Sequence, residues 1–138
     1  MKTLLFAVNG TLMQGLPLNK NLLAVNAAFV RESRTSANYR LWSIHNQYPA
    51  MIRDLKSGQK IELEIWSLTP EALLSILQNE PPGLCLGRVE LENGEMVIGV
   101  LGENFIIQGQ QEITKWGGWR AFIALENSNQ NNHFNQNN

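Results

Sequence analysis

The chain has 138 residues, 43% of them hydrophobic and 17% charged, with a formal net charge of −1. That length holds one hydrophobic core rather than two, the composition is too apolar for a disordered chain, and near neutrality gives no reason to expect a nucleic-acid or anionic-membrane partner. No apolar run approaches the roughly 20 residues that span a bilayer, and the single cysteine, Cys85, has no internal disulfide partner, which fits a reducing cytoplasm.

Leu4 to Val8 is continuously apolar, as in a strand buried on both faces, and Asn9-Gly10-Thr11 ends it as a turn. The run is too short for a signal peptide and has no small-residue cleavage site behind it. A short helix is expected near Asn19 to Val25. Strand character follows at Ala27 to Val30, at Thr35 to Ile44 and at Pro49 to Ile52. After the Ser57-Gly58-Gln59 turn, Lys60 to Leu68 alternates, with Ile61, Leu63 and Ile65 on one face and Glu62, Glu64 and Trp66 on the other.

Thr69-Pro70-Glu71 carries the marks of a helix start: an N-cap hydroxyl, proline at the first position and an acid at the positive end. Leu73, Leu74, Ile76 and Leu77 supply its apolar stripe, and Pro81-Pro82-Gly83 stops it. Gly87 to Leu91 and Met96 to Leu101 flank Asn93-Gly94 and read as a hairpin. Phe105 to Ile107 reads as another short strand, and Ile113 to Ile123 as a closing element. The Asn/Gln-rich stretch 127–138 reads as a disordered tail after a domain covering 1–126. The predicted fold is α+β: a small mixed, partly closed β-barrel with flanking helices.

Three segments, in order, carry a family likeness: Val8-Asn9-Gly10-Thr11-Leu12 with Gly15-Leu16-Pro17; Tyr39-Arg40-Leu41 through Pro49-Ala50-Met51 to Glu62-Leu63-Glu64-Ile65-Trp66; and Pro82-Gly83-Leu84, Asn93-Gly94 and Gly99-Val100-Leu101 with Gly117-Gly118-Trp119-Arg120. Together they resemble the C-terminal domain of allophanate hydrolases, within the γ-glutamylcyclotransferase-like superfamily. The resemblance implies that superfamily's fold and a small carboxylate- or amide-bearing metabolite as ligand. In the cyclotransferases the loop after the first strand holds the α-carboxylate end of the substrate. Here that loop is Asn9-Gly10-Thr11-Leu12, with Asn9 where the cyclotransferases carry tyrosine. Their general acid/base glutamate falls on Glu80, although Leu77 and Pro81 depart from the flanking pattern.

The residues themselves support parts of this assignment. A glycine turn leaves room for close approach, and successive N–H groups there can form an anion-binding nest. A carboxylate beside an apolar loop gains a raised pKa suited to proton transfer, against the plainer reading of Glu80 as a solvated residue at a helix end. His45, in the polar loop before Pro49, is a candidate base or cleft residue, against an ordinary exposed histidine. Arg53 and Tyr48, which flank Pro49-Ala50-Met51, are candidate carboxylate partners. Glu64 is a cavity residue by the resemblance, and a solvated one by pattern alone. Cys85, between leucines, reads as a buried inert thiol. His133 is discounted as a tail residue. No spacing suits a metal, and the reading calls for no cofactor.

Two function classes stay open. One is an enzyme, either processing an allophanate-derived carbamate or cyclising a γ-glutamyl group with Glu80 moving the proton. The other is a non-catalytic ligand-binding or assembly module that partners a separate amidase subunit or forms a homodimer.

Overall fold

The computed structural model describes residues 2–136. Strand β1 (Leu4–Val8) lies in the middle of a five-stranded sheet with β2 (Ala28–Arg34), β5 (Glu62–Leu68), β6 (Leu84–Glu90) and β7 (Met96–Gly102), in the order β2-β5-β1-β7-β6. It pairs antiparallel with β5 and parallel with β7. A central strand covered on both sides explains the unbroken apolar run, and Phe6, Ala7 and Val8 are all buried. A second, three-stranded sheet has the order β4 (Tyr48–Arg53), β3 (Tyr39–Ile44), β8 (Gln111–Glu112).

The two margins of the larger sheet approach each other at one end. Thr35, just past β2, bridges Leu91, just past β6. Ser36 N–H donates to Glu90 O at 2.9 Å, and Glu92 N–H donates to Arg34 O at 3.0 Å. The pairing goes no further, so the fold is mixed α+β with two sheets, and no closed barrel forms among the described residues.

Helix α1 (Asn19–Ala24) is a single short piece, and α2 (Pro70–Gln78) follows β5. Thr69 caps α2, its hydroxyl accepting from Ala72 N–H at 3.2 Å. Ala72, Leu73 and Ile76 form the buried stripe. The core beneath contains Phe6, Tyr39, Ile65, Trp66 and Phe122. A smaller apolar cluster of Trp42, Ile44 and Ala50 sits on the second sheet.

Two expectations change. Phe105 to Ile107 is a 3-10 turn (Asn104–Ile107), not a strand. Glu103 N–H is held by Gly83 O at 2.7 Å, and Ile106 and Ile107 pack on the smaller cluster, so the segment curls over that face instead of extending. The second change is at the C-terminus. Helix α3 (Trp119–Gln136) continues through most of the stretch read as a disordered tail, while residues 137 and 138 lie outside the described residues. Trp119 and Phe122 bury the first turn in the core, which supplies the nucleus that an isolated polar helix lacks. Extension by Asn and Gln then costs only their small propensity deficit. The indole of Trp119 is buried.

Because the Thr69 hydroxyl satisfies one of the otherwise free N–H groups opening α2, Thr69→Ala is expected to lower stability by about 1 kcal/mol in urea denaturation, and Thr69→Ser to retain most of it.

Candidate functional site

Three chain segments converge on a small pocket. The first is the loop Asn9-Gly10-Thr11-Leu12, delivered by the end of β1; the second is Tyr48-Pro49, opening β4; the third is Glu80, just beyond α2. The pocket measures about 20 Å³, close to the space of one water molecule.

Local packing places each part. Asn9 is buried, and its side-chain amide donates to Val100 O of β7 at 3.0 Å. Gly10 O accepts from Met13 N–H and Thr11 O from Leu18 N–H, both at 3.0 Å, while Leu12 O accepts from the Asn19 side chain at 2.8 Å. The carbonyls of the loop are therefore tied back into the fold. The N–H groups of Thr11 and Leu12 meet no protein acceptor among the described residues. The need for glycine at position 10 is steric: an added Cβ would lie 2.5 Å from Pro49 Cδ. The glycine thus admits the β3–β4 hairpin rather than simply making room for a ligand.

The hairpin turn itself uses left-handed backbone at His45 (φ 51°) and Asn46 (φ 59°), with Gln47 N–H donating to Ile44 O at 2.9 Å. That turn brings Tyr48 in opposite Glu80. Partial burial pushes the Glu80 carboxyl up to about 6. The Tyr48 phenol is raised too, first by burial and then by the negative charge of Glu80. A carboxyl with that pKa exists in both protonation states near neutrality and can give or take a proton. The Cys85 thiol, half-buried on β6, is raised by burial and by the charge of Glu103, which makes it a poor nucleophile.

Of the residues singled out in the sequence, Asn9, Gly10, Thr11, Leu12 and Glu80 come together here. His45, Arg53 and Glu64 do not line this pocket. His45 is exposed on the hairpin turn, its backbone N–H donating to Gln110 Oε1 at 3.0 Å. Arg53 donates to the Tyr39 hydroxyl at 2.8 Å and to Arg88 O, so it braces β4 against β6. Glu64 is not solvated. It accepts from Gln14 N–H at 2.9 Å, from the Trp66 indole N–H at 3.1 Å and from Arg120 Nη2 at 2.9 Å, and it lines a different cleft. Tyr48, a candidate carboxylate partner in the sequence, does line this pocket. Only the hairpin register, Ile44 against Tyr48, shows where it points. Among the described residues no three His, Cys, Asp or Glu side chains gather as a metal-binding set, and no helix is long and apolar enough to cross a membrane.

Comparison with known proteins agrees with this architecture. The family of the allophanate hydrolase C-terminal domain matches residues 4–124. The urea amidolyase of Saccharomyces cerevisiae is 33% identical over 126 residues, covering 86% of this chain and 7% of that protein. The chain thus spans about 7% of the length of the curated relatives it matches. Among solved structures, a uropathogenic E. coli-specific protein superposes with a TM-score of 0.88 at 48% identity, covering 90% of this chain and 98% of that one. Kluyveromyces lactis allophanate hydrolase gives 0.84 at 32%, covering 90% and 21%. A γ-glutamyl cyclotransferase, 15% identical with a TM-score of 0.55 over 80% of this chain and 70% of that one, shares the fold alone. With its family pattern matched from β1 into α3, the chain belongs to the allophanate hydrolase C-terminal domain family.

Proposed function

We propose that this domain processes a small amide- or carbamate-type metabolite in the pocket between the β1 loop and Glu80, with Glu80 moving the proton. The observation that carries the reading is that a desolvated carboxyl, pushed up to about 6, shares one small hollow with the β1 loop, whose Thr11 and Leu12 N–H groups have no backbone acceptor among the described residues. The N–H groups of Thr11 and Leu12 suit a carboxylate oxygen. A protonated Glu80 then gives its proton to the carbamate nitrogen, the C–N bond breaks, and carbon dioxide and an amine leave. Water reprotonates the Glu80 carboxylate. The family match with a domain of allophanate hydrolases favours a carbamate over a γ-glutamyl group.

The cyclotransferase alternative uses the same glutamate in the opposite sense. A Glu80 carboxylate would take a proton from an amine as that amine attacks the γ-carbonyl. The two versions predict opposite pH profiles. As an acid, Glu80 supports turnover that declines as pH rises above about 6; as a base, it supports turnover that declines below it. A second reading, a non-catalytic module docking on a separate amidase, is favoured by the water-sized volume of the pocket, which is far below that of ordinary ligand sites.

Incubation of the protein with allophanate-derived carbamates and with γ-glutamyl amino acids, beside Glu80→Gln, tests all three. Turnover of a carbamate, reduced about 100-fold or more by the substitution, is the expected result. No turnover of either class would leave the module reading alone, and undiminished turnover by the variant would remove Glu80 from the chemistry.

The same carboxyl affects stability. Its folded pKa lies above its unfolded value, so the folded state binds the extra proton between about pH 4.5 and 6. The stability tied to that proton is fully present below the unfolded value and is lost as pH rises through the folded one. Glu80→Gln is therefore expected to be more stable than the parent by roughly 2 kcal/mol at pH 8 and close to equal at pH 4, in denaturation measured at both.

A further inference from the structure

A larger cleft lies elsewhere, about 320 Å³, between the β2–β5 face and the start of α3. Ladder register decides its chemistry. Glu32 stands directly opposite Glu64, and Arg34 opposite Glu62. Paired residues share a face, and so do residues two apart, so all four side chains rise from the same side. Like charges placed opposite each other destabilise a sheet, and this pair persists because Arg120 reaches across from α3. Glu64, only 3% exposed, takes the Arg120 guanidinium at 2.9 Å.

The cations of the cleft are already engaged. Arg34 pairs with Glu92 at 3.1 Å, and Arg120 pairs with Glu64 while also donating to Gln14 O at 2.6 Å. Glu32 and Glu62 make no ion pair among the described residues. Counting Glu32, Glu62, Glu64 and Glu92 against Arg34 and Arg120, the lining carries a formal charge of −2. Met13 adds the apolar part of the lining. The cleft volume falls within the range of small-molecule sites, which the Glu80 pocket does not reach.

We propose that this cleft is a second ligand site, which takes a small organic cation with a short apolar flank, its guanidinium or ammonium head between Glu32 and Glu62. The fixed Arg120–Glu64 strut forms the floor and sets the depth. The alkyl part lies along Met13, where burial adds to the charge contact. The lattice of carboxylates suits a planar guanidinium best, since that head can be held by two carboxylates at once. This site is independent of the proton chemistry assigned to Glu80.

Calorimetric titration of the full chain with butylguanidinium, with neutral butylurea as the control, tests the proposal at low ionic strength, where the charge contacts are least screened. The expected result is saturable one-to-one binding of the cation. It weakens about tenfold in Glu62→Gln and further in the Glu32→Gln/Glu62→Gln double variant, and it is unchanged in Glu80→Gln. Both acids are exposed, so the variants are expected to melt with the parent, and melting curves check that. No saturable binding, equal binding of butylurea, undiminished binding by the double variant, or loss of binding in Glu80→Gln would each overturn the assignment.

Discussion

The fold turns on a contact with no room for a side chain. Gly10 lies against the ring of Pro49 so closely that one added carbon would collide with it. Through that contact the smaller sheet is seated on the end of β1, and everything described about the Glu80 pocket follows. The hairpin can present Tyr48 only because the backbone at position 10 is bare. Glu80 loses water only because Tyr48 and the β1 loop stand before it. The shifted carboxyl is thus a product of packing between two sheets and a helix end, and no ionic partner is needed to account for it.

The parts of the fold legible in the sequence were those set by local rules. Leu4 to Val8 announces a doubly covered strand, Thr69-Pro70-Glu71 a helix start, and Asn93-Gly94 a hairpin, and each lies where the residues place it. The convergence of the β1 loop with Glu80 was legible only through family likeness, because the long intervening chain, residues 13–79, carries no local signal of that meeting. The placement of Tyr48 opposite Glu80 was not legible for a related reason: it depends on the left-handed turn at His45 and Asn46, and neither residue demands that conformation. The long α3 was missed because Asn and Gln are weak helix formers, and the indole and phenyl groups that nucleate it lie before the polar stretch begins.

Glu64 shows why alternation alone misleads. On a sheet with one wet face its position would be solvated, yet β5 is covered on both sides. The buried carboxylate is tolerable because two N–H donors and a guanidinium surround it. Its hydrogen bond to Gln14 also reaches the loop that continues from Leu12, so the two hollows of the molecule are separated by a few residues of the same segment.

The bridge between Thr35 and Leu91 has a consequence for how the molecule behaves among copies of itself. An open sheet offers its outermost strands as templates on which foreign backbone can dock, the usual beginning of aggregation. Stitching the far ends of β2 and β6 to each other removes part of that template. Arg31, Glu32 and Arg34 guard the remainder of β2 with charge, which leaves the stretch around Phe29 and Val30 as the least protected margin of the sheet.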